Sequence, residues 1–260
     1  MRVIVTRAGR EAAGWLDRLR GQGIDAHSLP LIEIGPAPDT APLQAAWRAL
    51  HGFSAVMFVS ANAVEHFFAA RPADAPVAWQ DGAGHPRAWV PGPGTRRALL
   101  AAGVPTGAVD APGPEAPQFD SEALWQQVAG QVKAGCRVLL VRGADAAGEG
   151  VGREWLSDRA AALGARVEAV CAYVRRAPVF DDAHMALARS AASDGSVWLV
   201  SSSEAVHHLT RLLPGQDWSA ARAIATHPRI ASTLQTAGFG VVCPSRPAMV
   251  DIVAALKSFR

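Results

Sequence analysis

The chain has 260 residues, 50% of them hydrophobic and 18% charged, and a formal net charge of +2. This length and composition predict one large or two modest α/β domains and exclude an intrinsically disordered chain. The near-neutral charge excludes a surface that coats nucleic acid. Residues 1–7 reach charge too early for a signal peptide, and no apolar run approaches the length of a membrane span. We therefore predict a soluble, cytoplasmic protein that binds neither nucleic acid nor membrane.

The three cysteines, Cys136, Cys171 and Cys243, are far apart in the sequence and form no C-x-x-C motif. Each lies in or beside an apolar, strand-like run. An odd number at this spacing argues against a disulfide framework and against a zinc site. We predict buried structural thiols in a reducing compartment.

Strand-like and helix-like segments alternate along the first part of the chain. Residues 2–7 are a β-branched run typical of a buried parallel strand. Ala26 to Ile34 is predicted as one extended piece, whose Pro30 favours an edge or linker strand. Helical spacing or capping residues predict further helices: one carrying Trp15 and Leu19, one capped by Thr40, one carrying Phe67 and Phe68, one ending at Gly103, and one capped by Asp120 or Ser121. Strands are predicted at 55–59 and 88–90.

The pattern begins again at Cys136. Residues 137–142 repeat residues 2–7, residues 167–175 repeat 26–34, residues 196–206 repeat 55–64, and residues 221–238 repeat 87–103. The offset between the copies is 135 positions from Gly103 to Gly238 and 142 positions from Ser60 to Ser202. Strands that alternate with helices in this way predict parallel sheets with helices on both faces. The repeat by itself favours two consecutive halves.

The strand ends of both copies carry the same kinds of residue. One strand ends in an arginine (Arg7, Arg142), one in a serine that begins a helix (Ser60, Ser202), and one in a turn before another helix (Gly92 to Thr95, His227 to Ile230). Helix N-termini favour carboxylates and phosphates, and ligands of parallel sheets bind at the carboxyl ends of the strands. The sequence therefore indicates an anion-binding cleft. The serines could instead be ordinary caps, the arginines solvated charges, and the glycines simple turn residues.

The sequence contains no other catalytic or cofactor-binding motif of those considered below. Gly92-Pro-Gly94 lacks the continuation of a dinucleotide motif, and residues 148–152 lack the lysine and hydroxyl residue of a P-loop. Neither an H-E-x-x-H motif nor a G-x-S-x-G motif occurs, and successive histidines His207 and His208 cannot face one metal from a helix. We predict no metal, no cofactor and no covalent nucleophile.

The chain resembles the uroporphyrinogen-III synthase family over nearly its whole length. The likeness lies in the order and spacing of short motifs: Val5-Thr-Arg7, Leu29 to Ile32, Phe58 to Val64, Gly92 to Thr95, Ser121 to Leu124, Val138 to Gly143 with Gly152 to Leu156, Tyr173, and Ser201 to Val206. It implies two parallel-sheet lobes, flavodoxin- or Rossmann-like, joined by adjacent linker strands at 29–37 and 171–177. One lobe would combine 1–33 with 178–260, and 38–170 would form the inserted lobe.

The resemblance implies the conversion of hydroxymethylbilane, a linear tetrapyrrole with carboxylate side chains, into uroporphyrinogen III. Water is lost, the ring closes, and the last pyrrole ring is inverted. Tyr173, the only tyrosine in the chain, would donate a hydrogen bond to the leaving oxygen; Thr95 would act beside it by bonding a substrate carboxylate. The predicted substrate-binding residues are Arg7, Ser60, Asn62, Gly92, Arg142, Arg153, Ser202, Ser203 and Pro228. A monomer is expected.

One departure from the family pattern keeps alternatives open. The second turn reads His227-Pro-Arg-Ile230, where the family commonly has a threonine at the last position. A protein that closes on an anionic small molecule without catalysis is the main alternative. A sugar-nucleotide transferase is the other alternative. Tyr173 could also be a packed strand residue whose hydroxyl bonds only to protein.

Overall fold

The chain divides into two units, residues 1–34 with 176–260 (unit 1) and residues 35–175 (unit 2). The computed structural model describes residues 1–75, 79, 86–145 and 155–259, and only the backbone of residues 10 and 11. Within those residues, no helix has the length and apolar character needed to cross a membrane.

The described residues alternate between strands and helices in the predicted order. The strands are β1 Arg2–Val5, β2 Asp25–Ser28, β3 Glu33–Pro36, β4 Ala55–Phe58, β5 Arg87–Trp89, β6 Val109–Asp110, β7 Arg137–Ala144, β8 Arg166–Arg176, β9 Val197–Val200, β10 Arg222–Ala225 and β11 Val241–Pro244. The helices are α1 Gly9–Arg20, α2 Ala41–Arg48, α3 Ala61–Ala69, α4 Pro93–Ala101, α5 Ser121–Val128, α6 Trp155–Ala162, α7 Asp182–Ala191, α8 Ser203–Leu212, α9 Pro228–Thr236 and α10 Met249–Lys257. Short 3-10 turns lie at Leu50–Gly52, Thr106–Ala108 and Ala129–Gln131.

Unit 1 is built on a five-stranded sheet in the order β11-β10-β9-β1-β2, and its described pairs are parallel. Both faces of the sheet are covered. Ile4 and Trp198 pack into the hydrophobic core on one face, while Val3 and Val5 pack into the core on the other. A parallel strand that is buried on both faces requires a continuous apolar run, which is the pattern of residues 3–5.

Unit 2 is built on a six-stranded sheet in the order β3-β8-β7-β4-β5-β6. Beside this sheet, α3 is held by an aromatic cluster: Trp47 stacks on Phe67 at 4.6 Å between ring centroids, and its indole N–H donates to the Phe67 carbonyl at 2.7 Å. Phe58 of β4 meets Phe67 edge to face at 5.5 Å. These contacts therefore pack α3 against β4.

The sequence repeat reappears in the topology. In unit 2 the order β6-β5-β4-β7-β8 follows the same pattern as β11-β10-β9-β1-β2 in unit 1. Each sequence copy contributes its first two strands to one unit and its remaining strands to the other. Contacts thus do not group the chain into two consecutive halves.

The predicted single strand from Ala26 to Ile34 is wrong, because the extended chain breaks after Ser28. β2 pairs with β1 in unit 1, whereas β3 belongs to the sheet that contains β8. Pro30 has no backbone N–H to continue a ladder. The Leu31 amide instead donates to the Thr6 carbonyl at 3.2 Å, and the ring Nδ1 of buried His208 donates to the Leu31 carbonyl at 2.7 Å.

Several local predictions are corrected or confirmed by single hydrogen bonds. The Thr40 side chain does not cap α2, because its backbone is in the αR region and not in the extended region of a capping residue. Asp39 Oδ1 accepts from the Ala41 amide at 2.8 Å. Asp120 does cap α5, accepting from the Ala123 amide at 2.9 Å. The three cysteines are free, as expected, but they are half-buried rather than buried.

Candidate functional site

The carboxyl edge of the unit 2 sheet brings together two predicted site residues that are 113 positions apart. The hydroxyls of Ser60, which follows β4, and of Tyr173, near the end of β8, are hydrogen-bonded at 3.0 Å. Ser60 is also the N-cap of α3, and its Oγ accepts from the Ala63 amide at 3.1 Å. A serine in extended backbone just before a helix offers this acceptor readily. One hydroxyl thus joins a helix N-terminus to the tyrosine.

A β-bulge sets the position of Tyr173. The register of β7 and β8 pairs Arg142 with Cys171 and then Gly143 with Tyr173, so that Ala172 has no partner. A bulge of this kind redirects the side chains that follow it. A Cβ on Gly143 would lie 2.6 Å from Cζ of the Tyr173 ring. The Tyr173 ring therefore crosses β7 at Gly143, because only glycine leaves room for it.

His66 of α3 stacks on Tyr173, with ring centroids 5.8 Å apart and an interplanar angle of 23°. Burial lowers the pKa of His66, and the charge of Glu65 partly opposes that effect. Because the folded state disfavours the imidazolium, the unfolded chain binds the proton more readily below the ordinary histidine pKa of 6.5. The contribution of His66 to stability is therefore present above pH 6.5 and is lost as the pH falls below it.

We predict that His66→Phe reduces the loss of stability on acidification. Phenylalanine keeps a ring against Tyr173 but takes up no proton, so the free energy of unfolding should fall less between about pH 8 and about pH 5 than in the wild type. Urea denaturation across that range measures the effect. The difference between the proteins at the upper pH isolates packing from titration. Equal losses in both proteins would contradict the prediction.

The second strand-end turn of unit 2 holds Gly92 and Thr95. Gly92 is the N-cap of α4 in extended backbone, and Pro93 begins the helix. Thr95 lies in the first turn and is 6% exposed, and within the described part of the chain no group bonds its hydroxyl. Asn62 lies in the first turn of α3 and is half-buried. Two helix N-termini and an unpaired hydroxyl thus follow adjacent strands β4 and β5.

The prediction that Arg142 ends a strand is wrong, because β7 continues to Ala144. The Arg142 side chain is half-buried and lies close enough to Cys171 for its charge to favour the thiolate. Burial outweighs this effect and raises the pKa of Cys171, so the thiol stays protonated at neutral pH. Arg153 lies outside the described residues.

The corresponding edge of unit 1 holds Arg7, which lies beyond the end of β1. Its guanidinium is 4.8 Å from the centroid of the Trp15 ring, a cation–π contact. The preceding Thr6 is buried, and its hydroxyl donates to the Leu199 carbonyl at 2.8 Å. The Val5-Thr-Arg7 motif therefore ties β1 to β9 through Thr6 and places Arg7 against an aromatic ring.

The serine and histidine turns of unit 1 differ from their counterparts in unit 2. Ser202 is the N-cap of α8, but its side chain accepts no capping hydrogen bond. Ser203 Oγ bonds Thr233 Oγ1 at 3.1 Å. In the second turn His227 caps α9, since its Nδ1 accepts from the Arg229 amide at 3.1 Å, and Pro228 is exposed. Ile230 is buried, so its side chain offers no group to a ligand.

A cavity of about 360 Å³ lies in unit 1 beside the segment that follows β2. Its lining is mainly apolar: Gly9, Pro30, Ile32, Glu33, Ile34, Pro178, Val179, Phe180 and His184. None of the predicted site residues lines it. An apolar wall with one carboxylate does not suit a ligand rich in carboxylates, so we do not assign the cavity to the substrate.

Sequence reasoning missed Gly143 and His66. A glycine inside a strand pattern is a known sign of a bulge or of a close approach, so Gly143 did leave a signal. His66 left none, because a stacked histidine on an amphipathic helix looks like any half-exposed polar residue. Across the described ranges, no three His, Cys, Asp or Glu side chains are grouped as metal ligands would be.

Comparison with known proteins identifies the family. A sequence model described as uroporphyrinogen-III synthase HemD matches residues 14–254. The chain is also 33% identical over 226 residues to the uroporphyrinogen-III synthase of Synechococcus elongatus. The aligned residues cover 84% of this chain and 78% of that protein. The chain belongs to the uroporphyrinogen-III synthase family. The resemblance seen in the motifs is thereby confirmed.

Solved structures of uroporphyrinogen-III synthases share the fold. The enzyme of Helicobacter pylori gives a TM-score of 0.57 at 14% identity, with 100% of both chains covered. A mutant of the Thermus thermophilus enzyme gives 0.55 at 16% identity, covering 100% of this chain and 97% of that one. The predicted α/β class with parallel sheets is confirmed.

Membership in the uroporphyrinogen-III synthase family confirms the predicted enzyme class. The chain is an enzyme of tetrapyrrole biosynthesis and acts on a tetrapyrrole substrate. Family membership favours this function over both alternatives, binding without catalysis and sugar-nucleotide transfer.

Proposed function

We propose that this enzyme closes hydroxymethylbilane to uroporphyrinogen III with the hydroxyl pair of Ser60 and Tyr173 assisting the loss of water. The observation that carries the proposal is the 3.0 Å hydrogen bond between the two hydroxyls. It lies at the carboxyl edge of a parallel sheet, where ligands of such sheets bind. It also lies at the N-terminus of α3, whose dipole favours negative charge on a leaving oxygen.

The reaction asks for a weak proton donor and good orientation. As the C–O bond of the hydroxymethyl group breaks, the leaving oxygen takes the bonding electrons and the lone pair of the pyrrole nitrogen forms the new double bond. A proton from the hydroxyl pair turns the leaving hydroxide into water. The pyrrole N–H then releases a proton, which restores the pair. A positioned donor contributes about 10²-fold to 10⁴-fold, and orientation contributes several kcal/mol more.

Binding of the carboxylate side chains falls to the other predicted site residues. In unit 2 we assign Asn62, Gly92, Thr95, Arg142 and Arg153, and in unit 1 Arg7, Ser202, Ser203 and Pro228. Helix N-termini provide unpaired amides for carboxylates. Each charge-assisted hydrogen bond contributes about 1.5 to 3 kcal/mol, so a few of them account for affinity in a protein of low net charge.

The product of the purified protein tests the proposed function. Incubated with hydroxymethylbilane, it should yield uroporphyrinogen III, identified by chromatography of the oxidised porphyrin isomers. Spontaneous closure yields isomer I. A product that contains only isomer I, at the rate seen without protein, would overturn the proposal.

Thr95→Val should raise KM about tenfold with little change in kcat, because it removes one hydrogen bond to a substrate carboxylate. It should not lower stability, since the buried Thr95 hydroxyl bonds no other group in the described part of the chain. Steady-state kinetics and urea denaturation measure the two effects.

Thr6→Val is the matched control for Thr95→Val. The Thr6 hydroxyl is also buried but donates to the Leu199 carbonyl. Its removal should lower the free energy of unfolding by about 1 kcal/mol. If Thr95→Val lost stability like Thr6→Val and kept its KM, Thr95 would have a structural role instead.

We further propose that the enzyme works as a monomer in the cytoplasm. The three free, half-buried cysteines support a reducing compartment. Light scattering of the purified protein at working concentration tests the monomer, and a mass twice that of the 27.2 kDa chain would contradict it.

A further inference from the structure

We propose that Ser60 is the residue that touches the leaving hydroxyl, and that Tyr173 acts through Ser60 from a seat formed by Gly143 and His66. This inference rests on the proposed function, in which the hydroxyl pair assists the loss of water. It makes Ser60 the catalytic donor. Tyr173, Gly143 and His66 become positioning residues, which revises the role that the family resemblance implied for Tyr173.

In this arrangement a hydrogen-bond relay runs from Tyr173 through Ser60 to the leaving hydroxyl. The hydrogen-bonding capacity of Ser60 sets its direction. A serine hydroxyl accepts two hydrogen bonds and donates one. The Ala63 amide can only donate, so it occupies one acceptor site of Ser60 Oγ. When Tyr173 donates to the second acceptor site, the Ser60 proton is left for a further partner. Two incoming hydrogen bonds polarise the Ser60 O–H and strengthen it as a donor.

Exposure supports the same direction. Tyr173 is only 1% exposed, whereas Ser60 is half-buried at the start of α3. In the opposite arrangement Ser60 would donate to the phenol oxygen, and the buried phenol proton would have to reach the substrate directly. Ser60 is the member of the pair that a ligand at the sheet edge can reach.

The seat of Tyr173 depends on Gly143. β8 and β4 lie on either side of β7, about 10 Å apart at the usual strand spacing, so the tyrosine must cross β7 to reach Ser60. It crosses at Gly143, where a Cβ would lie 2.6 Å from Cζ and 3.0 Å from the hydroxyl oxygen. His66 stacks on the ring and limits its rotation. A side chain at position 143 would therefore displace the hydroxyl from Ser60.

Kinetics of five variants test the relay. We expect Ser60→Ala to lower kcat about 10³-fold, and Tyr173→Phe and Gly143→Ala to lower it about 10²-fold each, with KM changed less than threefold in all of them. The double variant Ser60→Ala/Tyr173→Phe should match Ser60→Ala, because both changes interrupt one path. Ser60→Thr keeps the hydroxyl and the cap and should retain most of the activity.

Two controls separate the relay from folding. Asp120→Ala removes the cap of α5 in the same unit and should lower the midpoint of urea denaturation, as we also expect of Ser60→Ala, but without lowering kcat. Gly130→Ala adds a Cβ where no atom lies within 4 Å and should change neither property. It is the matched control for Gly143→Ala.

A direct readout of the seat comes from the single tyrosine. Protein labelled with ¹³C at tyrosine Cζ has one signal, because Tyr173 is the only tyrosine in the chain. That chemical shift responds to the hydrogen bond of the phenol. It should move in Ser60→Ala and in Gly143→Ala and stay in place in Gly130→Ala.

The outcomes distinguish the inference from the proposed function. A larger loss in Tyr173→Phe than in Ser60→Ala, or a further loss in the double variant, would overturn the relay. An unmoved tyrosine signal in Gly143→Ala would overturn the seat. A wild-type protein that makes no isomer III defeats the proposed function and with it the catalytic role of Ser60. The tyrosine signal then still decides whether Gly143 seats Tyr173.

Discussion

Tyr173→Phe should lower kcat for hydroxymethylbilane about 10²-fold and leave the protein folded. The variant loses only the hydroxyl that bonds Ser60 at 3.0 Å, while the ring keeps its stack on His66 and its place over Gly143. Ser60 still caps α3 in this variant. The cost in stability should be about 1 kcal/mol, the usual value of one hydrogen bond. Initial rates at saturating substrate and urea denaturation measure the two effects.

The alternative for Tyr173, a packed tyrosine without a part in catalysis, makes a different prediction. An unchanged kcat in a stable Tyr173→Phe protein would show that the hydroxyl only satisfies Ser60. Unfolding of the variant would likewise show a structural role. The ratio of isomers III and I offers a second measure. As the catalysed rate falls, spontaneous closure consumes a larger share of the substrate and the fraction of isomer I rises.

Gly240→Ala should destabilise the protein by about 3 kcal/mol or more, a large part of the stability of an ordinary domain. A Cβ on Gly240 would overlap the backbone carbonyl oxygen of Ser219. Neither segment can yield easily, since Gly240 N donates to the Trp218 carbonyl at 3.2 Å. The neighbouring Trp218 and Phe239 rings stack at 5.1 Å and are buried. A backbone clash of this kind has no flexible side chain to absorb it.

Gly14→Ala in the same unit is the matched control for Gly240→Ala. Gly14 lies within α1, and a Cβ there meets no atom within 4 Å. Alanine in a helix interior should stabilise the protein by about 0.5 to 1 kcal/mol. Urea denaturation should therefore show shifts of opposite sign for the two substitutions. A Gly240→Ala protein as stable as the wild type would contradict the prediction.

Local features of the fold and site were predictable because nearby residues determine them. The apolar run at residues 3–5 predicts a strand buried on both faces, and the packing of Ile4 and Val5 into opposite cores confirms it. Asp120 was expected to cap a helix and does so. Thr40 accepts no capping hydrogen bond, because its backbone lies in the αR region instead of the extended region of a capping residue, and Pro42 has no amide to donate. The backbone angles of one residue before a helix depend on the preceding turn and are not visible in a residue pattern.

Local residue patterns could not predict which strands pair with each other. The break after Ser28 arises because β2 pairs with β1 while β3 joins the sheet of β8. Likewise, Arg142 was predicted to end a strand by analogy with Arg7. β7 nevertheless continues through Gly143 to Ala144, because β8 pairs with it there. A repeat identifies equivalent strands. Which strands share a sheet depends on hydrogen bonds between residues far apart in the chain.

The sequence by itself determined that this protein is an α/β enzyme with a duplicated strand and helix pattern, and its motifs pointed to the uroporphyrinogen-III synthase family. It also singled out Ser60 and Tyr173, through helix capping for one and family resemblance for the other. Only the tertiary structure decided that the two hydroxyls meet. That contact requires β8, β7 and β4 to be neighbours, a bulge at Ala172, and a glycine at position 143. Each is a relation between distant segments, which packing and sheet hydrogen bonding establish and local residue preferences do not.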